Sequence, residues 1–156
     1  MKKIRTSELE FMLLALSLAE RAAAMGETPV GAVVVQDGEI IGRGHNLVEA
    51  EKDPTAHGEI VALREAARFS GDWRLPRATV YVTLEPCIMC AAALVHARVK
   101  RLVFGARDHR WGGVGSLFDL SHDPRMNHEI EVISGIMEKE AAELLQRFYA
   151  RLRQDS

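Results

Sequence analysis

The sequence predicts an α/β/α protein, in which helices cover both faces of a central β-sheet. Short β-branched segments alternate along the chain with segments whose apolar residues recur at helical spacing, which is typical of this layered class. The 156 residues include 47% apolar and 27% charged side chains, the proportions of an ordinary globular domain with its own core. Since no repeat or linker interrupts the pattern, we expect one domain over residues 1–156.

The first third of the chain predicts a helix followed by a β-hairpin. Apolar residues recur every three or four positions over 7–25, and Gly26 stands where a left-handed C-cap would end that helix. The β-branched segment 30–35 and a second strand beginning at 39–43 flank Asp37-Gly38. This dipeptide is typical of tight hairpin turns, so the two strands should pair directly.

The middle of the chain predicts a helix over about 57–69, a strand over 79–83, a helix from Pro86 to about residue 96, and a strand over 101–105. Proline suits the first turn of a helix because no amide donor is needed there. We expect the buried face of the 57–69 helix to consist of Ile60, Leu63, Ala66 and Ala67.

The last third predicts a long loop, a short strand and a final helix. Residues 106–128 are rich in Gly, Asp, Asn and His, and loops of this length inside a domain are usually functional or disordered. A short strand is expected at 131–133. An apolar stripe then predicts a C-terminal helix, with Leu144, Leu145, Phe148, Tyr149 and Leu152 on one side.

The charge distribution gives only a weak indication of a partner. The net charge is −2, which does not suggest a general nucleic-acid-binding surface. Residues 98–110, however, hold five basic side chains against Asp108 alone, a local balance of +4. This segment is either a solvated helix end and strand flank or a small patch that contacts phosphate.

The cellular setting follows from the chain's ends and its cysteines. No apolar segment approaches the roughly 18–20 residues of a membrane span, and the basic N-terminus, residues 1–5, is not followed by a signal-peptide core. We therefore expect a cytoplasmic protein without a membrane partner. In that compartment the two cysteines are better explained as metal ligands than as a disulfide.

Two short motifs carry the chemistry. His57-Gly58-Glu59 is followed by Pro86-Cys87-Ile88-Met89-Cys90, which contains the only two cysteines. One histidine and two thiolates are three zinc ligands, and a catalytic zinc site keeps a fourth position open for water. Because zinc lowers the pKa of a bound water towards 7, a carboxylate beside the site can move protons during hydrolysis. Glu59 is not needed as a ligand and fits that role.

Either motif alone has a simpler explanation. An isolated histidine and glutamate at this spacing could be a buried or capping histidine, and an isolated Cys-x-x-Cys could be a redox pair or a structural zinc knuckle. A redox pair is disfavoured because Glu85-Pro86 leads into the cysteine motif and the histidine motif lies upstream. Both motifs, in this order and each at a predicted helix start, indicate a catalytic zinc site.

These motifs resemble the signature of the zinc-dependent nucleoside and base deaminases. Further segments resemble the bacterial tRNA-specific adenosine deaminases more closely, and the likeness extends from about residue 7 to Arg153. The segments that carry it are Asp53-Pro54-Thr55-Ala56-His57, residues 81–90, Gly105-Ala106-Arg107-Asp108, Gly115-Ser116-Leu117 and Asn127-His128.

The resemblance implies a cytidine-deaminase-like fold, a three-layer α/β/α arrangement around a mixed sheet of about five strands. It implies that the whole chain is one zinc-dependent deaminase domain with one Zn²⁺ per subunit, held by His57, Cys87 and Cys90, and that Glu59 shuttles protons. The implied reaction is hydrolysis of adenosine to inosine at the wobble position, 34, of a tRNA anticodon. The implied partners are the tRNA anticodon loop and a second copy of the chain.

The resemblance also implies substrate contacts. Asn46 would touch the flipped base or its ribose, and the backbone of Leu84 and Glu85 would border the base. The anticodon-loop groove would be lined by Arg107, Asp108, His109, Asn127, Tyr149 and Arg153. Aromatic and basic side chains suit single-stranded RNA, whose bases stack and whose phosphates attract cations.

Several of these positions have alternatives. Tyr149 and Phe148 could be core residues of the last helix, and Arg153 could be a solvated charge at its end. Trp111 could stack on RNA or fill a dimer interface.

Two departures from the family pattern bear on the substrate. Gly58 replaces the more usual alanine, and Tyr149 stands where a phenylalanine is common. Because glycine between the histidine and glutamate resembles free-base cytosine deaminases, a deaminase of guanine or cytosine is the second hypothesis. A non-catalytic, zinc-stabilised RNA-binding module is the third.

Overall fold

The protein is described here from a computed structural model that covers residues 6–155. The basic N-terminal segment, residues 1–5, lies outside the described residues, as does residue 156. In chain order the elements are α1 (Thr6–Ala24), β1 (Gly31–Gln36), β2 (Glu39–His45), α2 (Val48–Glu51), α3 (Gly58–Ser70), β3 (Ala78–Leu84), α4 (Ile88–His96), β4 (Arg101–Ala106), β5 (Glu131–Ile133) and α5 (Glu138–Asp155).

The sheet is mixed, and its strands lie in the order β2-β1-β3-β4-β5 within the described chain. β1 pairs antiparallel with both β2 and β3, whereas β3, β4 and β5 run parallel to one another. The register between β1 and β2 shifts between Val34 and Val35. The parallel pairs need crossover connections, which α4 and the segment 107–130 supply. The predicted mixed sheet of about five strands is confirmed.

Alternate side chains of the strands face opposite layers. Val33, Tyr81 and Val103 pack with α1 on one face, while Val34 and Val82 pack with α3 and α4 on the other. α5 lies on the same face as α1, which it contacts through a small apolar cluster. This period of two is the pattern of a sheet covered on both sides, and it confirms the three-layer architecture.

The two turns that the sequence marks adopt the expected backbone. Asp37 and Gly38 have φ angles of 52° and 78°, as a two-residue type I′ hairpin turn requires. Gly26, with φ of 80°, ends α1: its N–H donates to Ala23 O at 3.0 Å, and the Glu27 N–H donates to Ala22 O at 2.9 Å. These two bonds form a Schellman motif and satisfy carbonyl groups at the helix end.

Helix α3 lies unusually close to strand β2 because β2 presents glycines to it. A Cβ atom added to Gly44 would lie 2.5 Å from Gly58 O, and one added to Gly42 would lie 2.4 Å from Ala62 O. Since real Cβ atoms essentially never approach closer than 3.0 Å, helix backbone and strand backbone meet directly at these positions. The sheet therefore fixes the position of α3 without intervening side chains.

The prediction of which residues form the buried face of α3 is correct for only part of the set. Leu63 and Ala66 are buried as expected, but Ile60 and Ala67 are only half-buried, and Ala62 is fully buried instead. Small residues face β2 because the backbones approach so closely, and larger ones are displaced to the helix flanks.

One element was not predicted. Helix α2 is a single turn, and the carboxylate of buried Glu27 accepts the N–H groups of Glu49 at 3.0 Å and Ala50 at 2.7 Å at its start.

Among the described residues, no helix combines the length and apolar character that a membrane crossing requires.

Candidate active site

The candidate site lies at the edge of the sheet where β3 ends at Leu84. Helices α3 and α4 both begin at this edge, at Gly58 and Ile88, and the antiparallel strand β1 starts there at Gly31. A cavity of about 520 Å³ opens between these ends. The topology thus directs two helix N-termini, which favour negative charge, at one pocket.

The three predicted metal ligands come together beside this cavity. The Nδ1 atom of His57 lies 3.6 Å from Cys87 Sγ and 3.4 Å from Cys90 Sγ. His57 and Cys87 occupy the N-cap positions of α3 and α4 with extended backbone, and neither side chain caps its own helix. The prediction that Pro86 lies in the first turn of α4 is wrong. The helix begins at Ile88 with Cys87 as its N-cap, so Pro86 precedes the cap.

The geometry fits a zinc ion. Tetrahedral zinc with Zn–S bonds of about 2.3 Å and Zn–N bonds of about 2.0–2.1 Å places sulfur and nitrogen ligands roughly 3.6 Å apart. The two observed N–S distances, 3.4 and 3.6 Å, agree with that spacing, and all three donor atoms lie within 4.8 Å of one another. Thiolate and imidazole donors also suit zinc better than magnesium or calcium.

The site's own hydrogen bonds already favour a thiolate. The pKa of Cys87 is lowered to about 4, first by a hydrogen bond from the Cys90 thiol, with a further contribution from His57. The pKa of Cys90 is raised by its hydrogen bond to Cys87 and by burial, and the pKa of His57 is raised chiefly by its hydrogen bond to Cys87. The hydrogen bond between the two cysteines thus places the negative charge of the pair on Cys87.

Glu59 is the second residue of α3, in its first turn, and is only 3% exposed. Burial raises the pKa of Glu59 to about 7, against opposing effects of its own backbone N–H and of His57. A carboxyl group with a pKa near neutrality can both accept and release a proton under physiological conditions. The geometry thus places a suitable acid–base group beside the three donors.

The cavity contains many of the residues that the sequence singled out, together with others that it did not. The predicted residues in its lining are Asn46, His57, Glu59, Leu84, Glu85, Cys87, Asp108 and Tyr149. Cys90 is fully buried beside Cys87. The lining residues that were not predicted as site residues are Thr28, Val30, Pro54, Ile88, Met89 and Trp111.

Two of these residues have informative surroundings. Asn46 lines the cavity but is only 9% exposed, and its Oδ1 atom is buried without a hydrogen-bond partner among the described residues. Tyr149 is 42% exposed and lines the cavity, so it is not a core residue of α5; its neighbour Phe148 is half-buried. Trp111, at 63% exposed, stands at the rim.

Four residues predicted to contact RNA lie outside the cavity lining. Arg107, His109, Asn127 and Arg153 are all exposed. The guanidinium carbon of Arg107 lies 5.5 Å from the ring centre of Phe104, in a cation–π contact that holds the side chain near the end of β4. Arg107 and His109 adjoin Asp108 of the cavity lining. Asn127 lies further away, because the Nε2 atom of its neighbour His128 is 2.7 Å from Val99 O, before the start of β4.

The basic segment 98–110 does not form one patch. Arg98 donates to the carbonyl oxygens at the end of α4, and Arg101 pairs with buried Glu8. Arg107 and Arg110 lie beyond the other end of β4, roughly 20 Å away at about 3.3 Å per strand residue. Only this second pair is near the pocket. Of the two interpretations of the segment, the helix end and strand flank describes Arg98 and Arg101, and a phosphate-contacting patch beside the pocket stays a prediction for Arg107 and Arg110.

Gly58, the departure inside the motif, has limited but sufficient space for a larger residue. A Cβ atom there would lie 3.1 Å from Val30 O and 3.4 Å from His45 Cα. An alanine would need a shift of a few tenths of an ångström at Val30. The structure therefore gives no steric reason why the pocket of this chain should differ from one that carries alanine.

The fold and the site together define the deaminase class. A family model described as MafB19-like deaminase matches residues 6–153, nearly the whole chain.

The chain belongs to the tRNA-specific adenosine deaminase family. It is 48% identical over 155 residues to the tRNA-specific adenosine deaminase of Haemophilus influenzae, covering 98% of this chain and 90% of that protein. It is 47% identical over 148 residues to the Bacillus subtilis protein of the same name, covering 95% and 92%. A solved structure described as a tRNA:A34 deaminase superimposes with a TM-score of 0.85 at 46% identity, covering 87% of this chain and 99% of that chain.

Proposed function

We propose that the protein hydrolyses adenosine to inosine at the wobble position, 34, of a tRNA anticodon. The observation that carries the proposal is the convergence of His57, Cys87, Cys90 and buried Glu59 on one cavity, in a chain whose relatives are named for this reaction. In this reaction a water oxygen bonds to C6 of the adenine, the bond from C6 to the amino nitrogen breaks, and ammonia leaves.

Glu59 moves the protons of this reaction. Its carboxylate accepts a proton from the attacking water and passes it to N1 of the adenine, then carries the remaining hydroxyl proton to the departing amino nitrogen. Both water protons are thereby placed, and the group ends each cycle as it began. A pKa of about 7 suits both steps because neither protonation state is strongly favoured at neutral pH. General acid–base catalysis of this kind contributes about 10²–10⁴-fold.

His57, Cys87 and Cys90 would hold one zinc ion per subunit. Zinc bound there supplies the Lewis acidity that makes water a competent nucleophile at neutral pH. The protein's contribution is the fixed position of the donors, since His57 is set by the contact of α3 with β2 and the cysteines by the start of α4.

The cavity suits a base that has left its stack. Val30, Leu84 and Ile88 give it apolar walls, and the amide of Asn46, whose buried Oδ1 has no partner among the described residues, is the polar group placed to contact the base or ribose. Trp111 and Tyr149 at the rim present aromatic surface on which neighbouring bases can stack. Together these features favour a nucleotide within a single-stranded loop over a small free base.

We further propose that the protein acts in the cytoplasm as a homodimer. Exposed apolar side chains cluster beside the pocket, where Gly113 packs on Ile88 and the Leu117 N–H donates to Gly112 O. The cluster consists of Ile88, Leu117 and Phe118, which are 39–57% exposed. Exposed patches of this kind mark interaction surfaces. Analytical ultracentrifugation tests this proposal. We expect the wild-type protein to sediment as a dimer and Phe118→Asp as a monomer, and a monomeric wild type would contradict the proposal.

A direct assay tests the reaction. The purified protein is incubated with an anticodon stem-loop that carries adenosine at position 34, with a guanosine-34 stem-loop as control, and separately with free guanine and free cytosine. We expect inosine in the first RNA alone, measured by nucleoside mass spectrometry. Ammonia released from a free base, with no inosine in the RNA, would replace this proposal with the free-base deaminase.

A further inference from the structure

Glu85 is a buried carboxylate that the proposed chemistry does not use. It lies at the end of β3, two residues before Cys87, and is 1% exposed. Its backbone N–H donates to Ala106 O at 2.7 Å, which fixes the residue against the end of β4. Its side chain points towards the segment 107–118, here called the wall loop, which contributes Asp108 and Trp111 to the cavity.

The carboxylate of Glu85 accepts four hydrogen bonds from the wall loop. Oε1 accepts the N–H of Asp108 at 3.1 Å and the hydroxyl of Ser116. Oε2 accepts the N–H groups of Val114 and Ser116, both at 3.0 Å. Hydrogen bonds to a charged acceptor are stronger than neutral ones, so this single side chain is a major anchor of a segment without helix or extended strand.

The loop is built to approach this carboxylate closely. A Cβ atom on Gly112 would lie 2.3 Å from Glu85 Oε2 and 2.5 Å from Asp108 O, so only glycine allows the observed path. Asp108 extends the anchoring to the rim, since its Oδ1 accepts the N–H groups of Arg110 at 3.0 Å and Trp111 at 3.2 Å. A continuous set of bonds thus leads from Glu85 to the rim of the cavity.

We propose that Glu85 is a positioning residue for RNA: it holds the wall loop so that Asp108 and Trp111 meet the nucleotides beside the target base. This inference rests on the proposed function but concerns binding, not proton transfer. Loss of the carboxylate loosens the loop at Asp108, Val114 and Ser116 and weakens the complex with RNA. Gly112 and Gly113 stay joined to the start of α4 through a backbone bridge to Cys87 and a hydrogen bond from the Gly113 N–H to Pro86 O at 2.8 Å. Glu59 and the metal donors, whose side chains do not bond to Glu85, therefore keep their places.

The test is Glu85→Gln, which keeps size and shape but replaces two acceptor sites with an NH₂ group that faces N–H donors. We expect KM for the adenosine-34 stem-loop to rise about 10- to 100-fold, because buried donors left without an acceptor generally cost a corresponding binding free energy. We expect kcat to stay within about threefold of wild type. Zinc content should stay at the wild-type ratio. Ser116→Ala, which removes one of the four bonds, should give a smaller rise in KM.

Glu8→Gln is the matched control. Glu8 is also a buried carboxylate, at 2% exposed, but it pairs with Arg101 at the opposite end of β4. We expect it to lower the melting temperature without changing KM. If Glu85→Gln behaves in the same way, with lower stability and unchanged KM, or if it loses zinc and kcat together, the positioning role is refuted.

A second measurement does not depend on activity. Amide hydrogen exchange of Val114 and Ser116 should be faster in Glu85→Gln than in wild type, while exchange in β1 stays the same. Unchanged exchange in the wall loop overturns the proposal. If the wild-type protein leaves the RNA unmodified, the proposed function fails, whereas the exchange experiment still decides whether Glu85 holds the loop.

Discussion

Substitution of Gly44 by alanine tests whether the strand position sets the catalytic geometry. The added Cβ atom would lie 2.5 Å from Gly58 O and 2.6 Å from Ala62 N, against about 3.4 Å for an ordinary contact. The difference, 3.4 − 2.5, is about 0.9 Å, which the start of α3 must retreat from the sheet. His57 and Glu59 stand at that start and should move with it.

The expected cost has two parts. Overpacking of this kind destabilises a protein by about 1–3 kcal/mol, which lowers the melting temperature of a chain of this size by roughly 3–10 °C. A displacement near 1 Å at reacting groups can reduce turnover on the order of 100-fold. We therefore expect kcat/KM of Gly44→Ala on the adenosine-34 stem-loop to fall far more than stability alone explains, because the protein remains folded at the assay temperature.

Gly42→Ala is the matched control. Its Cβ atom would meet Ala62 O at 2.4 Å and Ala66 N at 2.9 Å, one turn further along α3 and away from the site. Thermal unfolding should show a similar loss of stability, with a smaller loss of kcat/KM. The reasoning is refuted if Gly44→Ala has wild-type turnover, or if the two variants lose turnover equally at equal stability.

The remaining predictions concern the motif residues. Glu59→Gln should abolish inosine formation and keep its zinc, measured by elemental analysis; turnover in this variant would remove Glu59 from proton transfer. In protein from which the metal has been chelated, the pKa of Glu59 is about 7 in the folded state and 4.5 in the unfolded state. The folded state therefore holds the proton more tightly, and the free energy of unfolding falls as the pH rises from about 4.5 to 7. Chelated Glu59→Gln should lack this fall. In urea unfolding we expect its free energy of unfolding to equal that of chelated wild type at pH 4 and to exceed it by about 3 kcal/mol above pH 7.5. Equal free energies of unfolding at both pH values would contradict this prediction. Cys87→Ala should lose the metal and at least about 5 °C of melting temperature, and full zinc occupancy would contradict the ligand assignment. Gly58→Ala should change the free energy of unfolding by less than about 1 kcal/mol, because the gain in helix propensity opposes the tight contact with Val30 O.

Local patterns predicted most of the fold, because they act over a few residues. The β-branched segment at 30–35, the Asp37-Gly38 turn and the Gly26 cap each depend on neighbouring positions, and all three are confirmed. The juxtaposition of His57, Cys87 and Cys90 was predicted on a different ground, since both motifs stand at predicted helix starts, and the structure brings their donor atoms within 4.8 Å of one another.

The features that sequence could not supply depend on contacts between distant segments. The buried face of α3 was misplaced because Gly42 and Gly44 favour small residues there, and nothing within α3 indicates that. Helix α2 depends on Glu27, which lies more than twenty residues away. The choice between a solvated flank and a phosphate-contacting patch for residues 98–110 stayed open, because adjacency in sequence does not show that β4 separates the two ends of the segment.

The two outer strands of the sheet limit how this protein can associate. β5 is only three residues long, and β2 carries the charged residues Glu39 and Arg43 next to an irregular register with β1. Short or charged edges discourage the addition of further strands from another molecule. Edge-to-edge growth, the usual route from native sheets to aggregates, is therefore disfavoured at both margins. Stable self-association should instead use contacts between side chains. The wall loop and the start of α4 then determine the shape of the interface.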